Sequence, residues 1–319
     1  MMMLLGPYQR LATYVKSPQE LSGGVDMEGL IDKYGLDDPF HIQYGRWISK
    51  VFRGDLGYSQ AVNRPVLEAL KTRFPASLEL LIYAAFPSVM IAIYLGVFAS
   101  VRHNQIWDHI IRVLSSIGYS LPSFVSALLL LMIFYGVLGW FPPGRLSTWA
   151  QSLVTSNEFI RYTGLNTIDG ILNGNFAVTL DQLRHLILPI ISLSLIRWAY
   201  LLRITRSSML EVLRKDYIRT ARSKGVKEKT VIQKHARRNA LIPVITVAGP
   251  QIIMMLAGAV ITETIFNYRG VGQFVKMSAT QLDYAGILGT TMYLSLLFIL
   301  ANLIVDVSYA IIDPRIRLD

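Results

Sequence analysis

Residues 216–250 read DYIRTARSKGVKEKTVIQKHARRNALIPVITVAGP, so a densely basic stretch with one internal glycine runs directly into a long uncharged apolar run. The basic half cannot lie in the hydrocarbon of a membrane, because each charge there costs roughly 2.5–3.5 kcal/mol on insertion scales. The apolar run starts at residue 239 and continues to residue 262, so it is long enough to cross it. This junction predicts a membrane protein with an ordered, water-exposed element between two membrane helices, and such elements usually dock a partner.

The composition and the apolar runs agree with a membrane protein. The chain has 319 residues, of which 52% are hydrophobic and 16% are charged. A helix needs about 20 apolar residues to span the hydrocarbon core, and four uncharged runs reach that length: 80–101, 113–144, 239–262 and 284–305. A fifth candidate, 185–202, contains Arg197, which either faces protein or a wet cavity or extends towards the basic side of the membrane. We predict an all-α integral membrane protein with five visible transmembrane helices.

The residue types that are missing exclude several kinds of site. The chain contains no cysteine, so disulfides, thiolate metal sites and cysteine nucleophiles are excluded. Its five histidines show no zinc-ligand spacing with a nearby acidic partner. We therefore expect neither a metal nor a cofactor, and a membrane enzyme would lack any nucleophile–base pair.

The distribution of lysine and arginine predicts the sidedness of the loops. Twelve basic and three acidic residues lie within 203–238, so this segment has a net charge of +9 in a chain whose formal net charge is +10. By contrast, 140–181 holds two basic and three acidic residues. Because basic loops stay on the cytosolic side, we predict a cytosolic loop at 203–240 and an external loop at 140–183. The membrane domain then covers 76–312, with a cytosolic tail at 313–319.

Residues 1–75 fall outside the cell in this topology, as an external region of short helices and turns. The apolar residues 1–5 are too few for a signal peptide or a spanning helix, so nothing ahead of the region would export it. We therefore expect the natural gene product to begin upstream with a further transmembrane helix, the start of this sequence being late. An in-frame apolar segment upstream in the gene would support this expectation.

Within the basic loop, defined as residues 203–240, the pattern predicts short helices. Residues 204–213 continue the preceding membrane helix, and 216–224 form a second helix. Asp216 lies at the start of that helix, where a carboxylate caps the backbone or meets the positive helix end. Gly225 stands where a helix C-terminus favours a left-handed residue.

Four apolar residues lie among these charges, namely Tyr217, Ile218, Ala221 and Val226. A solvated loop held near anionic lipid, with each charge worth about 1 kcal/mol, is one interpretation. A nucleic-acid site is disfavoured because membrane spans flank the loop on both sides. A docking helix explains the apolar patch and the glycine break together.

The loop resembles the cytoplasmic "EAA" loop of ABC transporter permeases, in the form found in the dipeptide/oligopeptide/nickel branch. That branch carries a pattern close to Asp-Tyr-x-Arg-Thr-Ala-Arg-x-Lys-Gly and then His-Ala-x-Arg-Asn-Ala-Leu-x-Pro, which stand here at 216–225 and 235–243. The glutamate of the general form is absent, as in the peptide branch. Further segments resemble the branch in the same order: YGLDDP at 34–39, GDLGYS at 54–59, RFPASLEL at 73–80, FNYRGVG at 266–272 and DPR at 313–315.

The resemblance implies the type I ABC importer permease fold, with the family's first helix missing here, and it implies a set of partners. These are a second homologous permease subunit, two cytosolic ABC ATPase subunits and an external solute-binding protein. Membrane lipid is also an expected partner, and nucleic acid is not. The chain has no Gly-x-x-x-x-Gly-Lys-Ser/Thr loop, so it is a transport subunit and its partners hydrolyse ATP. The coupling residues implied are Asp216, Tyr217, Ala221, Lys224, Gly225 and Val226.

The translocation path and the substrate are less defined. Polar and methionine residues on two apolar runs either line the path or serve helix packing in lipid; they are Ser120, Ser123, Gln251, Met254 and Met255. Peptides are the expected substrate of the branch in the plasma or inner membrane, with nickel and oligosaccharides as alternatives. An ion-gradient-driven secondary transporter would show inverted repeats and paired intramembrane charges, and the sequence shows neither.

Overall fold

The computed structural model describes residues 37–312, together with Gly29, Ile31 and Gly35. The predicted tail 313–319 and the upstream part of the predicted region 1–75 lie outside the described residues. The described part is helical apart from one short antiparallel hairpin, β1 (Tyr58–Ser59) and β2 (Arg64–Pro65), which pairs Tyr58 with Pro65 and Ser59 with Arg64.

The helices are α1 (Phe40–Phe52), α2 (Val66–Val101), α3 (Ile106–Ser120), α4 (Ser123–Leu130), α5 (Thr148–Val154), α6 (Asn166–Leu172), α7 (Phe176–Leu213), α8 (Asp216–Ser223), α9 (Glu228–Thr230), α10 (Arg237–Ala240), α11 (Ile242–Ile265), α12 (Val271–Thr280) and α13 (Tyr284–Ile312). A π-helical turn, Leu131–Val137, continues α4, and another, Val231–Ala236, joins α9 to α10. The run from α9 to α10 is called segment 228–240 below.

Three of these helices are long and apolar enough to cross a membrane by themselves: α2, α7 and the 284–305 part of α13. Two further pairs meet the same test only together. The α3–α4 pair is bent by 105°, and segment 228–240 meets α11 at 51°. The described residues therefore provide five spans if each bent pair counts as one, which is the predicted number.

The bend between α3 and α4 corrects the prediction of one continuous run over 113–144. Helix α3 ends at Ser120, and Leu121 is extended with φ −80° and ψ 124°. The next residue is Pro122, whose ring disfavours the helical conformation of the residue before it and which lacks a backbone N–H. The apolar run is uninterrupted by charge, but its backbone is broken at this proline.

The chain divides into two compact units, and the first comprises residues up to Ser77 with Arg269–Phe298. Its core contains Val66 and Leu70 of α2 with Val271 and Phe274 of α12. The buried carboxylate of Asp283 accepts hydrogen bonds from the Ser59 hydroxyl, from the Ala61 N–H at 3.3 Å and from the Gly286 N–H at 3.0 Å. One acidic side chain thus fixes the hairpin to the start of α13.

The second unit comprises Leu78–Tyr268 and Ile299–Asp319, and α7 lies at its centre. Helix α7 contacts α3, α4, α6 and α11. In one core cluster, Leu201 and Leu202 of α7 pack with Ala92 of α2 and Ala248 of α11. Arg197, the charge inside the predicted fifth span, donates from Nη2 to the Met254 carbonyl at 2.7 Å, so its guanidinium is held by protein.

Helices α2 and α7 approach closely at Gly96. A Cβ at this position would lie 2.6 Å from Cβ of Thr205 and 3.0 Å from the backbone oxygen of Leu202. We predict that Gly96→Ala lowers the melting temperature of the purified protein, because relieving the overlap costs about 1–3 kcal/mol. The matched control is Gly136→Ala, whose Cβ would meet nothing nearer than the Leu131 oxygen at 3.9 Å. An equal melting temperature for both variants would contradict the close approach.

Candidate functional site

The basic loop starts as an extension of α7, as predicted, and then turns into a short separate helix. Helix α7 ends at Leu213, and Lys215 precedes α8 as an extended residue with ψ 149° and no side-chain cap. Asp216 is the first residue of α8, its side chain is 94% exposed, and it contacts Arg219 at 3.4 Å. Asp216 therefore does not cap the helix, which was one of its two predicted roles. Its carboxylate does lie at the positive end of the helix, which was the other.

Gly225 ends α8 in the left-handed conformation, with φ +73°. The Gly225 N–H donates to the Arg222 carbonyl at 3.0 Å, and the Val226 N–H donates to the Ala221 carbonyl at 3.2 Å. These two bonds are those of the Schellman motif, which satisfies the last free carbonyls of a helix. The predicted left-handed glycine is confirmed, and it reverses the chain sharply after α8.

The apolar residues of α8 form the inner side of the loop. Ile218 is completely buried in a cluster with Met209, Val231, Ala236 and Ala240. Ala221 and Val226 are half-buried against the same cluster. Of the six predicted coupling residues these two therefore face the loop's own core, and the other four are exposed: Asp216, Tyr217, Lys224 and Gly225.

The two motif halves recognised in the sequence touch each other. The Asn239 amide donates to the Tyr217 hydroxyl at 3.1 Å and to the His235 carbonyl at 2.9 Å. Arg222 donates twice to the carboxylate of Glu228, at 2.7 and 3.1 Å. These contacts hold α8 against segment 228–240, so the basic loop is a folded helical hairpin. The sequence indicated the residues but not these pairings.

A buried ion pair links the end of α7 to the start of α3. The Asp108 carboxylate is fully buried and accepts from Arg206 Nε at 2.6 Å and Nη2 at 2.8 Å. It also accepts the Asn104 N–H at 3.0 Å. Sequence reasoning missed this pair, because Asp108 lies in what reads as a short solvated turn and its partner is 98 residues away.

The predicted path residues lie on two elements with different burial. Ser120 is exposed at the end of α3 and donates to the Ser116 carbonyl at 2.8 Å, and Ser123 is half-buried directly after the Pro122 break. On α11, Gln251 is half-buried, Met254 is 56% exposed and Met255 is 1% exposed. Met255 therefore packs inside the subunit in this conformation, and Met254 presents an open surface.

On the opposite side of the apolar runs, the loop 140–183 is held by a buried carboxylate, Glu79, which precedes the run 80–101. Glu79 accepts from Arg145 Nη2 at 2.9 Å, from the backbone N–H and hydroxyl of Thr167 at 2.8 Å each, and from the Tyr268 hydroxyl at 3.2 Å. Residues 145, 167 and 268, far apart in sequence, thus meet on one side chain. We call this the Glu79 network.

The network continues from Tyr268 into α7. The Gln182 amide donates to the Tyr268 hydroxyl at 3.0 Å and accepts from the Asn166 amide at 2.9 Å. Burial raises the pKa of the Tyr268 phenol, with the Glu79 charge acting in the same direction, so the phenol stays neutral and donates to Glu79. The only sequence signal for this site was a carboxylate directly before an apolar run.

Comparison with known proteins gives a consistent picture. The family described as "binding-protein-dependent transport system inner membrane component" matches residues 88–318. The dipeptide transport system permease protein DppB of Alkalihalophilus pseudofirmus is 38% identical and covers 98% of this chain and 90% of its own length. The oligopeptide transport system permease protein AppB of Bacillus subtilis is 40% identical, and the match covers 92% of this chain and 85% of that protein. The di/tripeptide transport system permease protein DppB of Pseudomonas aeruginosa is 41% identical, and the match covers 90% of this chain and 84% of that protein.

Among solved structures, an inward-facing form of the MetNI methionine ABC transporter matches with a TM-score of 0.51 at 14% identity. The match covers 75% of this chain and 94% of that one. With the family match, this confirms the predicted all-α, type I ABC importer permease fold. The protein is a multi-pass membrane protein and a transport component.

The Glu79 network predicts a specific stability effect. We expect Glu79→Gln to lower the free energy of unfolding by about 3 kcal/mol or more, because it leaves Arg145 facing a neutral group in a buried site. The measurement is the melting temperature of the purified protein in detergent. Glu211→Gln is the matched control, since Glu211 pairs with Lys215 at 3.0 Å on the surface and such pairs are worth about 0–1 kcal/mol. Equal shifts for the two variants would exclude a structural role for the buried pair.

Proposed function

Because this chain belongs to the family of binding-protein-dependent transport system inner membrane components, we propose that it is the permease subunit of an ATP-driven importer of peptides. The observation that carries the proposal is the likeness, over at least 90% of the chain, to permeases named for dipeptide, di/tripeptide and oligopeptide systems. The same transporter type acting on nickel or oligosaccharides is the alternative within the family. Selection would lie largely with the separate binding protein.

In the proposed assembly this subunit pairs with a second homologous permease subunit and two cytosolic ABC ATPase subunits, and an external solute-binding protein delivers the peptide. Helix α8 of the basic loop seats in a cleft of one ATPase. The exposed positions Asp216, Tyr217, Lys224 and Gly225 form the docking side, while Ala221 and Val226 support it from within. ATP is hydrolysed by the partners and not by this chain.

The structure of the basic loop supports a mechanical role. Since α8 is bonded to segment 228–240 and buries Ile218 in the loop's own core, the hairpin moves as one body when an ATPase displaces it. Helix α7 continues out of the membrane as far as Leu213, and only Arg214 and Lys215 separate it from α8. The Arg206–Asp108 pair passes the displacement to α3, so closure of the two ATPases drives the spans towards an outward-open state.

The proposed orientation has the basic loop and the C-terminus in the cytosol and the loop 140–183 outside. Residues 1–75 form the external N-terminal region, and 76–312 form the membrane domain. The charge asymmetry of the loops supports this orientation. The Glu79 network supports an ordered external loop, whose helices α5 and α6 offer a fixed surface to the binding protein.

Peptide uptake tests the function and the coupling role together. The permease is produced with the ATPases and binding protein encoded beside it, and ATP-dependent uptake of a labelled dipeptide is measured in vesicles, with nickel and an oligosaccharide as alternative substrates. We expect peptide uptake, and its loss by at least about tenfold in Gly225→Val, since a β-branched residue at φ +73° strains the turn after α8.

Gly225→Asn is the matched control, because asparagine tolerates the left-handed conformation, and it should retain most of the uptake. Uptake of nickel or of the oligosaccharide in place of the dipeptide would refute the assignment of peptides as the substrate. Equal uptake by Gly225→Val and Gly225→Asn would refute the role of the turn in coupling.

A single cysteine tests the docking side of α8. The chain has no cysteine, so Ser223→Cys, on the exposed side of α8, introduces a unique thiol. We expect a specific cross-link to an ATPase subunit whose yield changes with ATP. We also expect labelling by a membrane-impermeant maleimide only after the cells are permeabilised.

The matched control is Ser156→Cys, exposed in the loop 140–183. It should give no ATPase cross-link and should be labelled in intact cells. Labelling of Ser223→Cys from outside would overturn the orientation. A folded assembly with the ATPases but without the cross-link would place the docking surface elsewhere than on α8.

A further inference from the structure

An open groove lies between the end of α2 and segment 228–240, with a volume of about 470 Å³. Its α2 side presents residues spaced three and four apart, which therefore share one helix face. They are Met90, Ile93, Tyr94, Val97, Phe98 and Val101. The opposite side presents Lys229, Gln233 and Arg237, which recur every four residues, together with Ile232.

The α2 wall of the groove corresponds to the half of the membrane nearest the basic loop. The uncharged run 80–101 ends where Arg102 begins the next turn, so Val101 marks the membrane boundary. From Met90 to Val101 the helix rises about 16 Å, which is roughly half of the hydrocarbon core. The apolar wall therefore runs from the middle of the membrane to one surface, which is the extent of one lipid leaflet.

The α2 wall of the groove is apolar and is followed directly by a cation, Arg102. Tyr94 and Phe98 stack with ring centroids 6.3 Å apart, and the Arg102 guanidinium lies 3.8 Å from the centre of the Phe98 ring. Met90 is 51% exposed and Tyr94 is 69% exposed, so this wall is open to a ligand.

The groove lining holds three cations, Arg102, Lys229 and Arg237, and none of its described lining residues is acidic. Neither Lys229 nor Arg237 is among the ion pairs formed by the described residues, and the adjacent Glu228 is bonded to Arg222. The groove thus combines unneutralised positive charge with an apolar wall. A phosphate with an acyl chain below it complements both features.

We propose that this groove binds one anionic phospholipid from the leaflet on the side of the basic loop. The acyl chain lies along the Met90–Val101 face of α2, and the phosphate lies among Arg102, Lys229 and Arg237. Because such a lipid contacts both α2 and segment 228–240, it holds the basic loop against the membrane domain. The proposal rests on the membrane location of the chain and is independent of the transported substrate.

Native mass spectrometry of the complete transporter tests the site. The complex with its partner subunits is purified in detergent, depleted of lipid and titrated with phosphatidylglycerol or with phosphatidylcholine of the same acyl chains. We expect phosphatidylglycerol to be retained about tenfold more tightly, since each basic side chain near an anionic headgroup adds attraction. The variant Lys229→Gln/Arg237→Gln should lose this preference.

Lys227→Gln/Lys234→Gln is the matched control, because it removes two exposed charges from the same loop outside the groove. It should keep the preference for phosphatidylglycerol. The proposed site would be refuted if the unmodified complex retained the two lipids equally. It would also be refuted if both variants lost the preference for phosphatidylglycerol equally, because the attraction would then be a general one to the charges of the basic loop.

A second measurement does not depend on how well the charge variants fold. Tyr94 is replaced by the photo-cross-linker p-benzoylphenylalanine in the otherwise unmodified chain, and the complex is irradiated in native membranes. A phospholipid adduct supports the proposal. A cross-link to another protein subunit would show that a protein covers the groove and would refute the lipid site.

Discussion

The basic loop keeps a defined shape because one isoleucine is completely buried inside it. Ile218 packs against Met209, Val231 and Ala236 in a segment whose net charge of +9 is nearly the whole net charge of the chain, +10. Mutual repulsion among so many cations favours an extended loop, and burial of an apolar side chain of this size, about 1.5–3 kcal/mol, opposes it. The charges then occupy the outer side of a folded hairpin, where they are available to a protein partner and to the membrane surface.

Two helix breaks lie on the membrane side of this hairpin. In lipid every backbone polar group must be bonded internally, so a break is tolerated where protein or water supplies a substitute. Pro122 breaks the α3–α4 run, and α4 packs on α7 beyond it. The 51° bend before α11 falls next to Pro243, and there the Ala240 carbonyl accepts the Ser208 hydroxyl at 2.8 Å. Both bends therefore occur where α7 lies alongside.

The sequence predicted the features that depend on composition and local conformation. Apolar runs indicated the spans, and the left-handed Gly225 followed from its place after a short helix. The inward direction of Ala221 and Val226 could not be read from the sequence, because a patch of apolar residues in a charged loop fits an outer docking face and an inner core equally well. The partners of Asp108 and Glu79 were also hidden, since each carboxylate bonds residues far away in sequence and their types, arginine, threonine and tyrosine, are common throughout the chain.

These two carboxylates fix α7 near both of its ends. Gln182 joins α7 to the Glu79 network and Arg206 joins it to Asp108, and the helix rises about 36 Å between these residues, slightly more than the hydrocarbon core. Buried ion pairs add little net stability, but their geometry is specific. In the proposed coupling, a displacement of the hairpin at one end of α7 acts directly on Asp108 and, through the continuous helix, on the Glu79 network near the other end. Under that proposal the loop 140–183, which the network holds, is the part that responds.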